Sequence, residues 1–297
     1  MDERTALRLL ADTLPAAGDD AAVVDDLVVT TDMLHETTDF PAGTTRYTAG
    51  WRAVGASLSD VAAMGVPAIA TVAAYAAPEF DSGELRAFVD GARDVAERVD
   101  ASYVGGDLDT HEEFTVATTA IGRVDDTDPV LRSGASSGEL VCVTGTLGRS
   151  AAGIRAFERG DEAHGNELFQ FTPRVHEGDR LAPHATAMMD SSDGLARSLH
   201  QLAEASDCGF AIDADRVPIH DALGPETDER AVWERAVHFG EDFELVCTLP
   251  AAGLDLATSA LDALGTPLTV VGRVVERDAG VTVDDEPLAD RGYTHGQ

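Results

Sequence analysis

Apolar side chains at Trp51, Val54, Leu58, Val61 and Ala62 recur every three or four positions, which predicts a helix over 50–67 with one buried face. Gly65 followed by Pro67 supplies its stop. The same period predicts a short amphipathic helix over 2–14 through Leu7, Leu10 and Leu14. It predicts a second long helix through Leu85, Phe88, Val89, Ala92, Ala96 and Val99, started by Asp81 and Glu84. Further helices are expected over 149–158, 195–205 and 254–264, and a bare apolar run spans 68–76. Strands are expected over 21–24 and 27–31, a hairpin about Asp25-Asp26 whose second arm ends in Thr30-Thr31-Asp32. Others fall at 114–124, 140–144, 185–189, 210–212, 243–248 and 268–274, and a strand from Tyr103 enters a glycine turn at Gly105-Gly106-Asp107. The stretches 33–45 and 160–166 read as loops, the latter acidic and exposed. Strands and helices alternate in both halves, and the polar stretch 125–138 separates them. The expected fold class is therefore α/β (α+β) with two domains, 1–124 and 139–297.

Composition narrows the partners. The chain has 297 residues, 44% of them hydrophobic, enough to bury the cores of two domains. Its 54 acidic and 21 basic residues give a net charge of −33, and every basic residue is Arg. Such a surface argues against nucleic acid and anionic membranes and suits a saline cytoplasm, where the Debye length shrinks to about 3 Å at molar salt. No apolar run approaches a membrane span, and MDERTALRLL lacks the layout of a signal peptide, so a cytoplasmic protein is expected. The absence of Lys excludes Schiff-base chemistry, a P-loop lysine and the protein-kinase strand lysine. If polyphosphates are handled, metal ions and Arg must neutralise them. Cys142, Cys208 and Cys247 show neither metal-ligand nor disulfide spacing and read as core residues.

Against this background Asp60 stands out. It lies near the end of the predicted central helix, where the partial negative charge disfavours a carboxylate by a few tenths to about one kcal/mol. Arg52, the nearest cation in sequence, is two turns back. Taken alone, Asp60 reads as a solvated side chain flanking a helix end. Four further junctions of apolar runs and Gly- or Ser/Thr-rich turns carry aspartates, however: Gly18-Asp19-Asp20, Thr30-Thr31-Asp32, Gly105-Gly106-Asp107 and Asp190-Ser191-Ser192-Asp193. Asp-rich turns at strand ends hold hard cations through oxygen, and Mg²⁺ bridges carboxylates to substrate phosphates. The five junctions together point to a multi-metal site. His35, His111 and His238 read as polar surface or supporting residues.

The ordered segments GDDAAVV (18–24), TTDM (30–33), SDVAAMGVP (59–67), GGD (105–107), RSGA (132–135), TGTLGRSAAG (144–153), MMDSSDGLA (188–196) and GEDFEL (240–245) span most of the chain. In this order they resemble the thiamine-monophosphate kinases, within the aminoimidazole ribonucleotide synthetase-like superfamily. The resemblance implies an amino-terminal sheet domain that forms a homodimer, a carboxy-terminal α/β domain, and ATP with several Mg²⁺ ions between them. It implies metal ligands at Asp20, Thr30, Thr31, Asp32, Asp60, Asp107, Asp190 and Asp193. Nucleotide contacts would come from Gly106, Asp107, Arg132 and Ser192, and thiamine contacts from Asp39, Glu241 and Tyr293. Asp60, Asp107 and Arg132 would carry the catalytic charge. Bacterial members usually have His where this chain has Asp39.

The implied reaction is in-line transfer of the ATP γ-phosphoryl group to thiamine monophosphate, giving thiamine diphosphate and ADP. Two alternatives stand beside it. One is another ATP-dependent synthetase of the superfamily; a selenophosphate synthetase would be expected to carry a reactive Cys near the amino terminus, whereas the first here is Cys142. The other is a non-catalytic metal- or nucleotide-binding protein, which the full acidic set disfavours.

Overall fold

A computed structural model describes residues 14, 16, 18–125, 127–224 and 228–292. The helix expected over 2–14, apart from Leu14, and Tyr293 lie outside the described residues. Five strands form the first sheet: β1 (Ala22–Val24), β2 (Leu27–His35), β3 (Ala68–Ala77), β4 (Ser102–Thr110) and β5 (Thr115–Arg123). Between β2 and β3 the chain makes a short helix α1 (Glu36–Asp39) and the long helix α2 (Arg46–Ala63), and α3 (Ser82–Glu97) joins β3 to β4. The sheet order is β1-β2-β5-β3-β4, antiparallel except for β3 and β4.

The hairpin at Asp25 forms as expected, with φ of 54° at that residue. Its second arm is longer than the sequence suggested. β2 continues through Thr30, Thr31 and Asp32 to His35, because that stretch pairs without a break against Thr115–Arg123. The three residues are thus mid-strand and alternate between faces. Gly105 and Gly106 likewise do not turn the chain: β4 runs through both, with a register shift against β3 at Thr71/Val72. A Cβ on Gly106 would lie 1.7 Å from the Ala73 carbonyl oxygen, so the close approach of the two strands requires glycine there.

Helix α2 is the hub. Thr45 caps it by accepting from the Thr48 amide, and it ends where Gly65 takes a φ of 67°. The sequence expected one apolar face starting at Gly50; instead the helix starts a turn earlier and every residue from Thr48 to Ala63 except Asp60 is buried. One face packs on the first sheet and α3. Gly50 and Gly91 let those two helices meet so closely that a Cβ on either would strike the other's backbone at 2.1 or 2.0 Å. The opposite face meets the second half of the chain, where the Trp51 indole donates to the Phe171 carbonyl at 2.5 Å.

The second half holds β6 (Leu140–Thr144), α4 (Arg149–Glu158), α5 (Glu162–Phe169), α6 (Val175–Leu181), β7 (Ala187–Asp190), α7 (Leu195–Ser206), β8 (Gly209–Ile212) and α8 (Glu229–His238). It continues with β9 (Leu245–Leu249), α9 (Leu254–Asp262), β10 (Leu268–Val275), β11 (Val281–Val283) and β12 (Glu286–Pro287). Seven of these strands form a mixed sheet in the order β12-β11-β8-β10-β6-β9-β7. The acidic stretch expected as an exposed loop is the helix α5: Asp161 caps it, and the buried Asn166 accepts from Thr45 N and donates to Gly43 O. The strand expected from 243 begins at Leu245, since Glu241 and Phe243 adopt positive φ of 58° and 54°. All three cysteines are buried and free, as expected of core residues.

Residues 125–138 carry no helix or strand among the described residues, yet they are not a solvated tether. Val130 N donates to Met64 O, Met188 N donates to Leu131 O, and Arg132 reaches Asp20. One hydrophobic core runs from Val28 and Leu58 to Met188 and Leu245, across both halves.

Candidate active site

The turn before β1 carries Asp20, the last turn of α2 carries Asp60, and β7 ends in Asp190. These three carboxylates converge, each offering one oxygen within 4.8 Å of the others. Hydroxyls orient them. Thr30 Oγ1 donates to Asp60 Oδ2 at 2.6 Å, and Ser59 Oγ donates to Asp190 Oδ2 at 2.7 Å. Ser192 donates to Asp190 Oδ1 through both its amide, at 3.1 Å, and its hydroxyl, at 2.6 Å. Asp32 lies alongside, accepting from Ser57 Oγ at 2.7 Å.

Burial and the neighbouring Asp32, Asp190 and Asp20 carboxylates hold Asp60 well above the usual carboxylate range. Burial and Asp20 push Asp190 up to about 6, against the hydrogen bonds from Ser192 and Ser59. The cation that the helix end lacks comes from far along the chain, not from Arg52. Arg132 grips Asp20 through Nε and Nη2, both at 3.0 Å, and its backbone N donates to Asp19 Oδ1 at 2.6 Å. Asp20, Asp190 and Asp60 all stabilise the Arg132 guanidinium, raising its pKa. One guanidinium cannot offset so many carboxylates, and oxygen-only donors in mutual repulsion fit hard divalent cations.

Beside α1 a cavity of about 490 Å³ is lined by Asp39 and Glu241 together with Phe40, Pro41, Ile154 and Phe157. Asp39 is buried, and its Oδ2 accepts from His35 N at 2.7 Å and Thr38 Oγ1 at 2.8 Å. Glu241 is fixed by Arg52, whose Nη2 lies 2.8 Å from its Oε2. A carboxylate pair among aromatic and aliphatic walls suits an organic cation.

The structure therefore brings Asp20, Thr30, Asp32, Asp60, Asp190, Ser192 and Arg132 to one place, and Asp39 and Glu241 to another. Thr31 points to the opposite face of β2, where its hydroxyl donates to Thr118 O at 2.9 Å. Gly106 and Asp107 sit on the exposed edge strand β4, outside the group of three carboxylates. Asp193 follows Ser192 in the loop that opens α7. Sequence reasoning missed Ser57, Ser59 and Arg52; polar residues inside an otherwise apolar helix were the available signal.

Two family models cover most of the chain: "AIR synthase related protein, N-terminal domain" matches residues 18–124, and the corresponding C-terminal domain matches residues 136–285. A thiamine-monophosphate kinase of Halobacterium salinarum is 60% identical over 295 residues, 99% of this chain and 100% of the relative. One from Methanospirillum hungatei is 39% identical, with 99% of each chain covered. Among solved structures, a thiamine-monophosphate kinase from Stenotrophomonas maltophilia superposes with a TM-score of 0.83 at 32% identity, covering 95% of this chain and 96% of its own. An AaThiL structure complexed with AMPPCP and TMP gives 0.86 at 27% identity, covering 99% and 97%. Full-length identity at this level, on the two-sheet fold described above, means that the chain belongs to the thiamine-monophosphate kinase family of AIR synthase related proteins.

Proposed function

We propose that the protein transfers the γ-phosphoryl group of ATP directly to thiamine monophosphate, forming thiamine diphosphate and ADP. The observation that carries this reading is the convergence of Asp20, Asp60 and Asp190, in a member of this family, on the hub helix that also supports the Asp39–Glu241 cavity. The phosphate of the acceptor has a second pKa near 6, so its oxygen attacks unprotonated at neutral pH and no general base is needed. The obstacle is the meeting of two polyanions in a cleft lined with carboxylates. Asp20, Asp32, Asp60 and Asp190 would hold Mg²⁺, and the family pattern adds Thr30 and Asp193. Thr31, its hydroxyl turned to the opposite face of β2, would offer only its backbone oxygen, and Asp107 would have to reach in from the edge strand β4. Bound Mg²⁺ supplies the positive charge that lets donor and acceptor phosphates approach. Arg132 would add a cation to the same region and Ser192 a hydroxyl to the nucleotide, with Gly106 on the edge strand β4 as the backbone contact the family pattern suggests. Asp39 and Glu241 would orient the cationic thiazolium end, with Tyr293, outside the described residues, as the third contact the family pattern suggests. Purified protein with ATP, Mg²⁺ and thiamine monophosphate should yield thiamine diphosphate; ATP consumed with any other product, or none, overturns the reading.

The proposal extends to a cytoplasmic homodimer divided into domains at 125–138. Among the described residues no helix is long and apolar enough to cross a membrane. Sheet-to-sheet pairing, as the resemblance implies, would be expected to bury the apolar strands around Val28 and Val116, but these two side chains are already 0% and 1% exposed within the single chain, because alternate strand residues face α2 and α3. The exposed large apolar side chains on the strands of the first sheet are instead Val23, Val24, Met33, Val104 and Leu108, the last two on the edge strand β4. Light scattering at molar KCl should give twice the chain mass, and Val104→Asp with Leu108→Asp should shift it toward one. A parent that remains a monomer at micromolar concentration counts against the dimer.

A net charge of −33 without Lys further predicts that activity needs salt. Lowering KCl from molar to about 0.1 M lengthens the Debye length from roughly 3 to 10 Å, strengthening both self-repulsion and repulsion of ATP. KM for ATP and melting temperature measured across that range should both worsen; undiminished activity in dilute buffer refutes the expectation.

A further inference from the structure

Arg52 is buried on α2, 2% exposed, with its guanidinium 4.2 Å from the centre of the Phe169 ring. A cation so enclosed is costly unless its donors are all met. Nη1 donates to Phe169 O at 3.1 Å, and Nη2 reaches Ser150 Oγ at 3.2 Å, Glu241 O at 3.3 Å and Glu241 Oε2 at 2.8 Å. Two of these four contacts go to one residue. Glu241 is also held by its backbone: its amide donates to Ser192 O at 2.6 Å, and its carbonyl accepts from Ser150 Oγ at 2.6 Å. Its φ of 58° is a conformation that non-glycine residues adopt only when their surroundings impose it.

We infer that Arg52 is a positioning residue for the acceptor cavity, holding Glu241 in its left-handed conformation and occupying Oε2 so that Oε1 is presented to a cationic heteroaromatic ligand. This rests on the reading that the cavity takes the thiamine portion of the acceptor. Of the residues lining the cavity, only Glu241 is among the hydrogen-bond, ion-pair and ring partners of Arg52, so its polar influence passes through that residue. The same loop ties Glu241 to Ser192, whose hydroxyl orients Asp190. Arg52 and Asp60 lie eight residues apart on one helix, about 12 Å at 1.5 Å per residue. A single rigid element thereby sets the spacing between the acceptor's ring and the carboxylate cluster.

Arg52→Lys tests this, because an ammonium keeps the charge but cannot span carbonyl, hydroxyl and carboxylate as the planar fork does. Thiamine diphosphate formation by the parent is measured first, which checks the functional reading separately. Calorimetric binding of thiamine, which lacks the phosphate, then reports on the cavity with or without turnover. R52K should weaken thiamine binding and raise KM for thiamine monophosphate about tenfold or more, with KM for ATP and kcat changed by no more than a few-fold. In a Glu241→Gln background the same substitution should add less than about twofold, since the negative charge that Arg52 presents to the ligand is already gone. Arg52→Met, if it folds, should follow the same cycle with larger effects. Parent-like thiamine binding in R52K, losses that add to those of E241Q, or unfolding of both Arg52 variants would overturn the inference in favour of a purely structural role.

Discussion

Replacing Asp60 by Asn is expected to lower turnover at least about a thousandfold while raising the melting temperature of the metal-free protein. The kinetic half follows from its place among three carboxylates that can share cations. Removing the charge of a shared ligand costs several kcal/mol of transition-state stabilisation, and each 1.36 kcal/mol is about tenfold in rate. Excess Mg²⁺ should recover only part of the loss. The stability half follows from repulsion. Asp60 carries a raised pKa at the negative end of α2, facing Asp32, Asp190 and Asp20. Asn keeps the volume and can still accept from Thr30 Oγ1, which donates at 2.6 Å in the parent.

The sign with pH can be worked out. Asp60 and Asp190 bind protons more tightly folded than unfolded, so the stability they contribute is complete below the unfolded value near 4. It is lost as pH rises through the folded values, Asp190's being about 6. Metal-free parent protein should therefore lose more stability than Asp60→Asn between about pH 4 and pH 7, and Mg²⁺ should reverse the difference. Calorimetric melting with and without Mg²⁺, alongside steady-state rates, reads both halves. A stable mutant with turnover within a few-fold of the parent would sink the metal-ligand role at this position.

Arg132→Met should move metal-free stability the other way. The Asp20 side chain is 1% exposed and its two oxygens each accept from Arg132 at 3.0 Å. Removing the guanidinium leaves a buried carboxylate beside two others with no cation. Breaking a buried pair costs about 3–5 kcal/mol, and with Arg132 itself 23% exposed the lower end applies. The same change removes a cation from the phosphate region, so turnover should fall about a hundredfold or more. Added Mg²⁺ should raise the melting temperature of Arg132→Met by more than that of the parent, since the ion supplies charge the mutant lacks. Equal Mg²⁺-induced shifts in the two proteins would show that Arg132 does not offset the cluster's charge.

The hub helix, its stop at Gly65, the cap at Asp81 and the strands at 140–144 and 268–274 were all legible in the sequence, because caps, turns and periodicity depend on neighbours within about four residues. The aspartates that form the site were legible for the same reason: Gly18-Asp19-Asp20 and Asp190-Ser191-Ser192 are local turn chemistry at the ends of apolar runs. Local signals misled where pairing at a distance decided the outcome. Thr30-Thr31-Asp32 looked like a strand end and Gly105-Gly106 like a turn, but β5 and β3 extend the ladder through them. The acidic stretch at 160–166 looked like a loop, yet it forms a helix docked through Asn166 onto the start of α2.

The sequence by itself determined which turns carry clustered carboxylates and hydroxyls, that a Lys-free, strongly acidic chain has only Arg and bound cations with which to offset phosphates, and that the chain alternates strands and helices in two halves. Only the tertiary structure decided how these residues meet. Ser59 reaches Asp190 across 131 positions, Arg132 reaches Asp20 across 112, and Arg52 reaches Glu241 across 189. No short-range preference encodes such pairs. They exist because α2 is buried between two sheets, so polar side chains on its opposite faces must find partners in both halves of the chain or remain unsatisfied in a core that excludes water.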